Sequence, residues 1–162
     1  MASHVGLPID DDTAKAYTAE KNKHFVANCH TRPFAEIPQI LDLCAGRGFK
    51  TAIATGTSLT NLQHVVEPEL LQRFQALVYE GEYLRGKPYP DPFLVAAEKL
   101  GVSAHECLVV ENAPLGIQAA KAAGMVCAAI TTTLGREHLQ KADVIVESHI
   151  ELLNYLEKLT LS

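Results

Sequence analysis

Two hydrophobic rhythms alternate along this chain. One is the short unbroken apolar run of a strand covered on both faces; the other is the spacing of a helix with one apolar side. The run from Cys107 to Val110 (CLVV) predicts such a strand, and Glu111-Asn112 follows it at once. Pro114 and Gly116 predict a tight turn after it. Ile117, Ala120 and Gly124, with Ala123 at the edge, then share one face of a slim helix that Gly124 ends. Val126–Ile130 and Val144–Val146 predict two further strands, and Ala76–Tyr79 a brief one. Lys50 to Ser58 reads as a strand running into a small polar loop.

Helical spacing fills the intervals. It runs from about Asp11 to Cys29 through Ala14, Tyr17, His24 and Phe25, and from Glu36 to Gly46 through Ile37, Ile40, Leu41 and Cys44. Short helices are predicted over Leu59–Val66, Leu70–Phe74 and Leu134–Gln140. Phe93, Ala96, Ala97 and Leu100 predict a helix from Asp91, and Ile150–Leu159 a last one. Residues 80–92 are rich in Gly and Pro and predict a loop; His30 to Phe34 predicts a hinge. Helices alternating with short apolar strands argue for an α/β fold with a parallel sheet covered on both faces.

Composition narrows the class. The 162 residues suffice for one domain with a core; 48% are hydrophobic and the formal charge is -5, with no basic stripe for nucleic acid. No apolar run approaches a membrane span, and the N-terminus lacks the pattern of a secretory signal, so a cytoplasmic protein is expected. Cys29, Cys44, Cys107 and Cys127 are widely spaced, as free thiols in a reduced compartment would be. The seven histidines share no metal-ligand spacing, and Asp10-Asp11-Asp12 suits the start of a helix.

Three polar features follow predicted strands: Thr55-Gly56-Thr57-Ser58, Lys87 in RGKPYPDPF, and Glu111-Asn112. Together they suit a phosphate. Hydroxyls and free backbone N–H groups donate to phosphoryl oxygens, a lysine offsets their charge, and a carboxylate beside an amide can hold Mg²⁺. Blander readings stand beside these. Thr55 could be a loop or capping hydroxyl, Lys87 a solvated loop lysine, Glu111 half of a salt bridge and Asn112 a turn residue. Asp91 would cap its helix or orient Lys87, and Arg32 would face either a cleft or open solvent.

In three of these stretches the sequence resembles the haloacid dehalogenase superfamily, in its β-phosphoglucomutase-like phosphatase branch. The stretches are KTAIATGTS, GKPYPD (Gly86–Asp91) and LVVENAPLGIQAAKAAGM. The resemblance implies a Rossmannoid three-layer α/β/α core over 32–162 and a remnant of a helical cap over 1–31. It implies Mg²⁺-dependent hydrolysis of a small phosphorylated metabolite such as a sugar phosphate. Thr55, Gly56, Thr57 and Lys87 would bind the phosphate, with Thr55 and Lys87 in catalytic roles; Glu111 and Asn112 would hold the metal. Hydrolysis is favoured over mutase chemistry, which needs a complete cap.

Two departures qualify the expectation. The family's Asp-x-Asp nucleophile motif ends an N-terminal strand, and here Asp10–Asp12 has no apolar run before it. The chain is therefore expected to begin after that strand and part of the cap, and to be inactive alone, with Mg²⁺ binding weak or lost. Asn112 stands where the family usually has Asp, which removes a charge from the metal site. The absent strand is central in the family's sheet. Its loss leaves two inner edges, to be closed on each other or filled by a homodimer or strand exchange. The alternative function is a non-catalytic binding or scaffold protein.

Overall fold

The structure is a computed structural model that describes residues 10–29 and 32–159. Leu7-Pro8-Ile9 and the His30-Thr31 part of the predicted hinge lie outside the described residues. The elements alternate as the two rhythms require: α1 (Asp11–Asn28), α2 (Ile37–Gly46), β1 (Ala52–Ala54), α3 (Leu59–Val65), α4 (Pro68–Leu71), β2 (Ala76–Val78), α5 (Asp91–Leu100), β3 (Leu108–Glu111), α6 (Pro114–Ala122), β4 (Val126–Ile130), β5 (Val144–Val146) and α7 (His149–Lys158). The helix expected over Leu134–Gln140 is only a 3₁₀ turn at Arg136–His138.

All strand pairs are parallel, and they form two sheets: β1–β2, and β3–β4–β5 in that order. Helices cover both faces. On one side Phe93 and Ala97 of α5 and Ile117, Ala119 and Ala120 of α6 pack with Val109, Cys127 and Ala129. On the other, Ile40 and Cys44 of α2 and Leu152, Leu153 and Leu156 of α7 pack with Ala128, Ile130 and Val146. This is the three-layer α/β/α arrangement, and β4 is its best-covered strand.

β1 and β3 are not paired with each other, and the described residues place no strand between them. Of the expected ways to heal the sheet, direct closure is not what the chain does. The two sheets share apolar packing, since Ala54 touches the cluster around Val109 and Ile117.

Three local expectations are corrected. Pro114 does not make a turn; it is the first residue of α6, where its missing N–H costs nothing. Gly116 lies inside that helix. Gly124 stops the helix at φ +73 but is exposed, and Ala119 takes the buried position beside Ile117 and Ala120. α1 forms where expected, with Asp10 accepting a 2.7 Å hydrogen bond from Thr13 N as its cap. Of its predicted apolar face, Tyr17 is 70% exposed and so is most of the His24 side chain, while the side chains of Ala14 and Phe25 lie outside those described.

Cys44, Cys107 and Cys127 carry free thiols. Among the described residues no helix is long and apolar enough to cross a membrane.

Candidate active site

The loop between β2 and α5 carries Lys87 to the carboxyl ends of the strands. Its ammonium donates to Ala54 O at 3.2 Å and to Glu111 Oε1. Ala54 ends β1 and Glu111 ends β3, so one cation joins the rims of both sheets. The Lys87 Nζ also stands 4.8 Å from the Phe93 ring centroid, an attractive placement for a desolvated cation. The side chains of Lys87 and Glu111 are 24% and 9% exposed, so the pair is shielded but reachable.

A clasp holds this loop. Asp91 accepts from Arg85 N at 3.1 Å, from Arg85 Nε at 3.2 Å and from Arg85 Nη2 at 2.9 Å. Tyr89 N donates to Gly86 O at 3.1 Å within it, and the Lys87-Pro88 peptide is cis. The hydrogen bonds from Arg85 hold the Asp91 carboxyl below the usual range. Asp91 therefore tethers the segment that bears Lys87, and its side chain does not cap α5.

Thr55 follows β1 directly. Its N–H extends the ladder to Val78 O at 2.9 Å, and its Oγ1 accepts from Thr57 N at 3.2 Å. The structure thus gives Thr55 the loop-hydroxyl role, while Ser58 caps α3 by accepting from Asn61 N. Glu80 N donates to Thr57 O, which ties the loop to the chain after β2.

Glu111 is held from two sides. Its Oε1 takes Lys87, and its Oε2 accepts from Asn112 N at 3.1 Å. Its carboxylate lies where a Cβ on Gly116 would be, 2.1 Å from Glu111 Cδ, so only glycine fits there with the acid in place. Asn112 Nδ2 donates to Thr133 Oγ1 at 2.9 Å and reaches Thr132 Oγ1 at 3.4 Å, bridging the loops after β3 and β4.

Thr55, Lys87 and Glu111 therefore meet at one rim through Ala54 and Lys87. Pattern reading missed Tyr83. Its hydroxyl donates to Thr55 O at 3.1 Å, and its ring and hydroxyl lie 3.8 Å from the Cβ positions of Gly86 and Gly56. Burial, with Glu80 nearby, pushes its phenol up. A lone tyrosine in a loop gives no periodic signal; the flanking glycines were the trace it left. Arg32 is exposed and lines a separate depression with Gln63 to Pro68, away from Lys87.

A Mg²⁺ ion needs about six oxygens near 2.1 Å, commonly one or two carboxylates with waters and substrate. Here both Glu111 oxygens are engaged, Asn112 turns its amide hydrogens to threonines, and Lys87 already supplies positive charge. Among the described residues no group of three His, Cys, Asp or Glu side chains is placed to hold a metal. By themselves these residues do not fit the ion. Nor, among the described residues, does any strand end in Asp: the acids at or just past strand ends are Glu80, Glu82, Glu111 and Glu147. Asp10 and Asp12 stand at the start of α1 instead.

Known proteins give this geometry a family. The model of the haloacid dehalogenase-like hydrolases matches residues 3–124, well over half of the chain. Phosphoglycolate phosphatase of Escherichia coli is 29% identical over 90% of this chain and 62% of its own length. Fructose-1-phosphate phosphatase YqaB of the same organism is 40% identical over 51% of this chain and 40% of its own. The chain spans less than two thirds of the length of the curated relatives it matches. In fold it superposes on a hydrolase from Pseudomonas syringae with a TM-score of 0.79 at 22% identity, covering 96% of this chain and 76% of the other. It superposes on β-phosphoglucomutase from Clostridium difficile at 0.77 and 23% identity, covering 93% and 68%. The chain belongs to the haloacid dehalogenase-like hydrolase family.

Proposed function

We propose that this chain carries the phosphate-binding half of a phosphatase site and does not turn substrate over by itself. The observation that carries the proposal is the Lys87 ammonium held at the joint rim of β1 and β3, beside the Thr55-Gly56-Thr57 loop. A phosphoryl group entering there would exchange with Glu111 for Lys87, and the Gly56 and Thr57 N–H groups and the Thr55 hydroxyl would orient it. The substrate class is a small phosphorylated metabolite, in line with relatives that bear the names fructose-1-phosphate phosphatase and phosphoglycolate phosphatase. Residues 1–31 would be cap remnant and 32–162 core. The free thiols of Cys44, Cys107 and Cys127 support a reducing, cytoplasmic setting. Hydrolysis through an aspartyl nucleophile needs an Asp that the described strand ends lack. Mg²⁺ binding is accordingly weak or lost.

A second reading, a non-catalytic scaffold, is favoured by one fact: Glu111 and Thr55 Oγ1 are already satisfied within the chain. Calorimetric titration with inorganic phosphate and fructose 1-phosphate separates the two. Binding that falls at least tenfold in Lys87→Ala, without Mg²⁺-dependent release of phosphate from p-nitrophenyl phosphate, is expected. No binding at millimolar ligand would leave the scaffold. Turnover that survives Lys87→Ala would place the site elsewhere.

A further inference from the structure

Backbone groups alternate along an extended chain: one residue turns its N–H and C=O to one side, and the next turns them to the other. Thr55 carries β1 into the loop that follows. Its N–H donates to Val78 O at 2.9 Å, so its backbone groups lie on the β2 side. Its carbonyl is kept on that side by the Tyr83 hydroxyl, which donates to it at 3.1 Å from the loop after β2. The Thr55–Gly56 peptide is trans. In a trans unit the C=O and the N–H point in opposite directions. Holding Thr55 O toward β2 therefore aims Gly56 N–H the other way, to the side on which Lys87 Nζ meets Ala54 O.

The rest of the loop is arranged in the same sense. A carbonyl oxygen repels an anion, and an N–H attracts one. The carbonyls of Ala54, Thr55 and Thr57 are all engaged, by Lys87 Nζ, the Tyr83 hydroxyl and Glu80 N respectively. Gly56 N–H has no acceptor among the described residues. Tyr83 touches both segments that meet at this rim. Its hydroxyl lies 3.8 Å from the Cβ position of Gly56, and its ring 3.8 Å from that of Gly86, the residue before Lys87. Its neighbour Glu82 braces the turn by accepting from Tyr79 N at 3.3 Å and from Lys99 Nζ. Burial, and then the charge of Glu80, push the half-buried phenol up, so it stays a donor across neutral pH.

We infer that Tyr83 is a positioning residue of the phosphate site: its hydroxyl fixes the Thr55–Gly56 peptide so that Gly56 N–H and the Lys87 ammonium serve one oxyanion. The inference rests on the phosphate reading and adds the group that orients the loop. Tyr83 acts from behind the loop, through the Thr55 carbonyl. It lies outside the three stretches that carry the family resemblance.

The test is a titration of the 162-residue chain with inorganic phosphate, followed by calorimetry and by the amide proton resonance of Gly56. Tyr83→Phe removes the hydroxyl and keeps the ring against Gly86, so the chain should fold. Its affinity for phosphate should fall about threefold to tenfold, the worth of one neutral hydrogen bond. At saturating phosphate the Gly56 amide proton should move downfield in the wild type, and by less in Tyr83→Phe. Lowered stability alone would leave that saturated shift unchanged. Tyr79→Phe, in which the altered ring faces Lys99, is the control and should bind as the wild type does. Equal affinity in Tyr83→Phe and the wild type overturns the inference and leaves the phosphate reading standing. So does an equal loss in Tyr79→Phe, or a loss in Tyr83→Phe with the saturated Gly56 shift unchanged. No binding by the wild type at millimolar phosphate overturns the phosphate reading, and the inference with it.

Discussion

Gly116 and Glu111 show how one missing methyl group shapes the site. A helix interior ordinarily gains about 1 kcal/mol when Gly becomes Ala. Here the new Cβ would lie 2.1 Å from Glu111 Cδ, so the carboxylate must leave. Leaving breaks its bonds to Lys87 and to Asn112 N, and charged hydrogen bonds of this kind are worth about 1.5–3 kcal/mol each. The loss outweighs the helical gain. Gly116→Ala should destabilise the chain by about 2 kcal/mol or more in urea unfolding. In a Glu111→Ala background the clash is gone, and the same substitution should stabilise by up to about 1 kcal/mol. The reversal of sign is the test; destabilisation in both backgrounds would mean that Gly116 matters for a reason other than Glu111.

At the scale of elements, what could be read from sequence depended on whether local signals and packing agreed. β4, β5 and α5 lie where the apolar runs and the Gly101 stop put them, because burial on both faces and one face respectively leave an unambiguous pattern. α1 follows helical spacing, yet Tyr17 on its predicted apolar face stays exposed; spacing reports what a helix could cover, not what covers it. The rim was half legible. Thr55 and Lys87 follow strands and Glu111 ends one, but the Ala54 carbonyl, the Phe93 ring and the Arg85–Asp91 clasp come from distant contacts that no short window encodes. The end of α7 makes the same point. Arg47, just past α2, donates to Leu156 O at 3.3 Å, which Leu159 N also reaches, and to the carbonyls of Glu157 and Leu159 at the C-terminal end of the helix. Its guanidinium also stands 5.6 Å from the Phe49 ring centroid. Arg47→Ala should cost about 2 kcal/mol and speed exchange through the last turn of α7. Arg47→Lys should recover little, because one ammonium cannot span three carbonyls.

For the molecule as a whole, acid and alkali should erode stability through different groups. Asp143 accepts from Lys121 Nζ at 2.6 Å and from Cys127 N at 2.8 Å, with Lys121 the larger cause of a carboxyl held below its ordinary 3.8. Asp10, Asp91 and Glu106 are depressed as well, through hydrogen bonds with Thr13, Arg85 and Ser103. A depressed acid stabilises the fold above its unfolded value and loses that contribution as pH falls through the folded one, so the acid limb should begin near pH 4. Cys127 runs the other way. Its thiol is fully buried and pushed up from 9.0 to about 11, by burial first and then by the charges of Glu111 and Asp143. Between those values the unfolded chain sheds a proton that the folded chain keeps. Fewer protons are then bound unfolded than folded, and stability must fall as pH rises from about 9 to about 11. Burial of Cys44, Cys107 and Tyr83 adds shifts of the same sign. Urea unfolding from pH 3 to 11 should therefore trace a plateau with two shoulders. Asp143→Asn should flatten the acid one. Cys127→Ala should lower the plateau slightly, through lost packing, and flatten the alkaline one. An alkaline shoulder unchanged in Cys127→Ala would assign it to the other thiols and Tyr83.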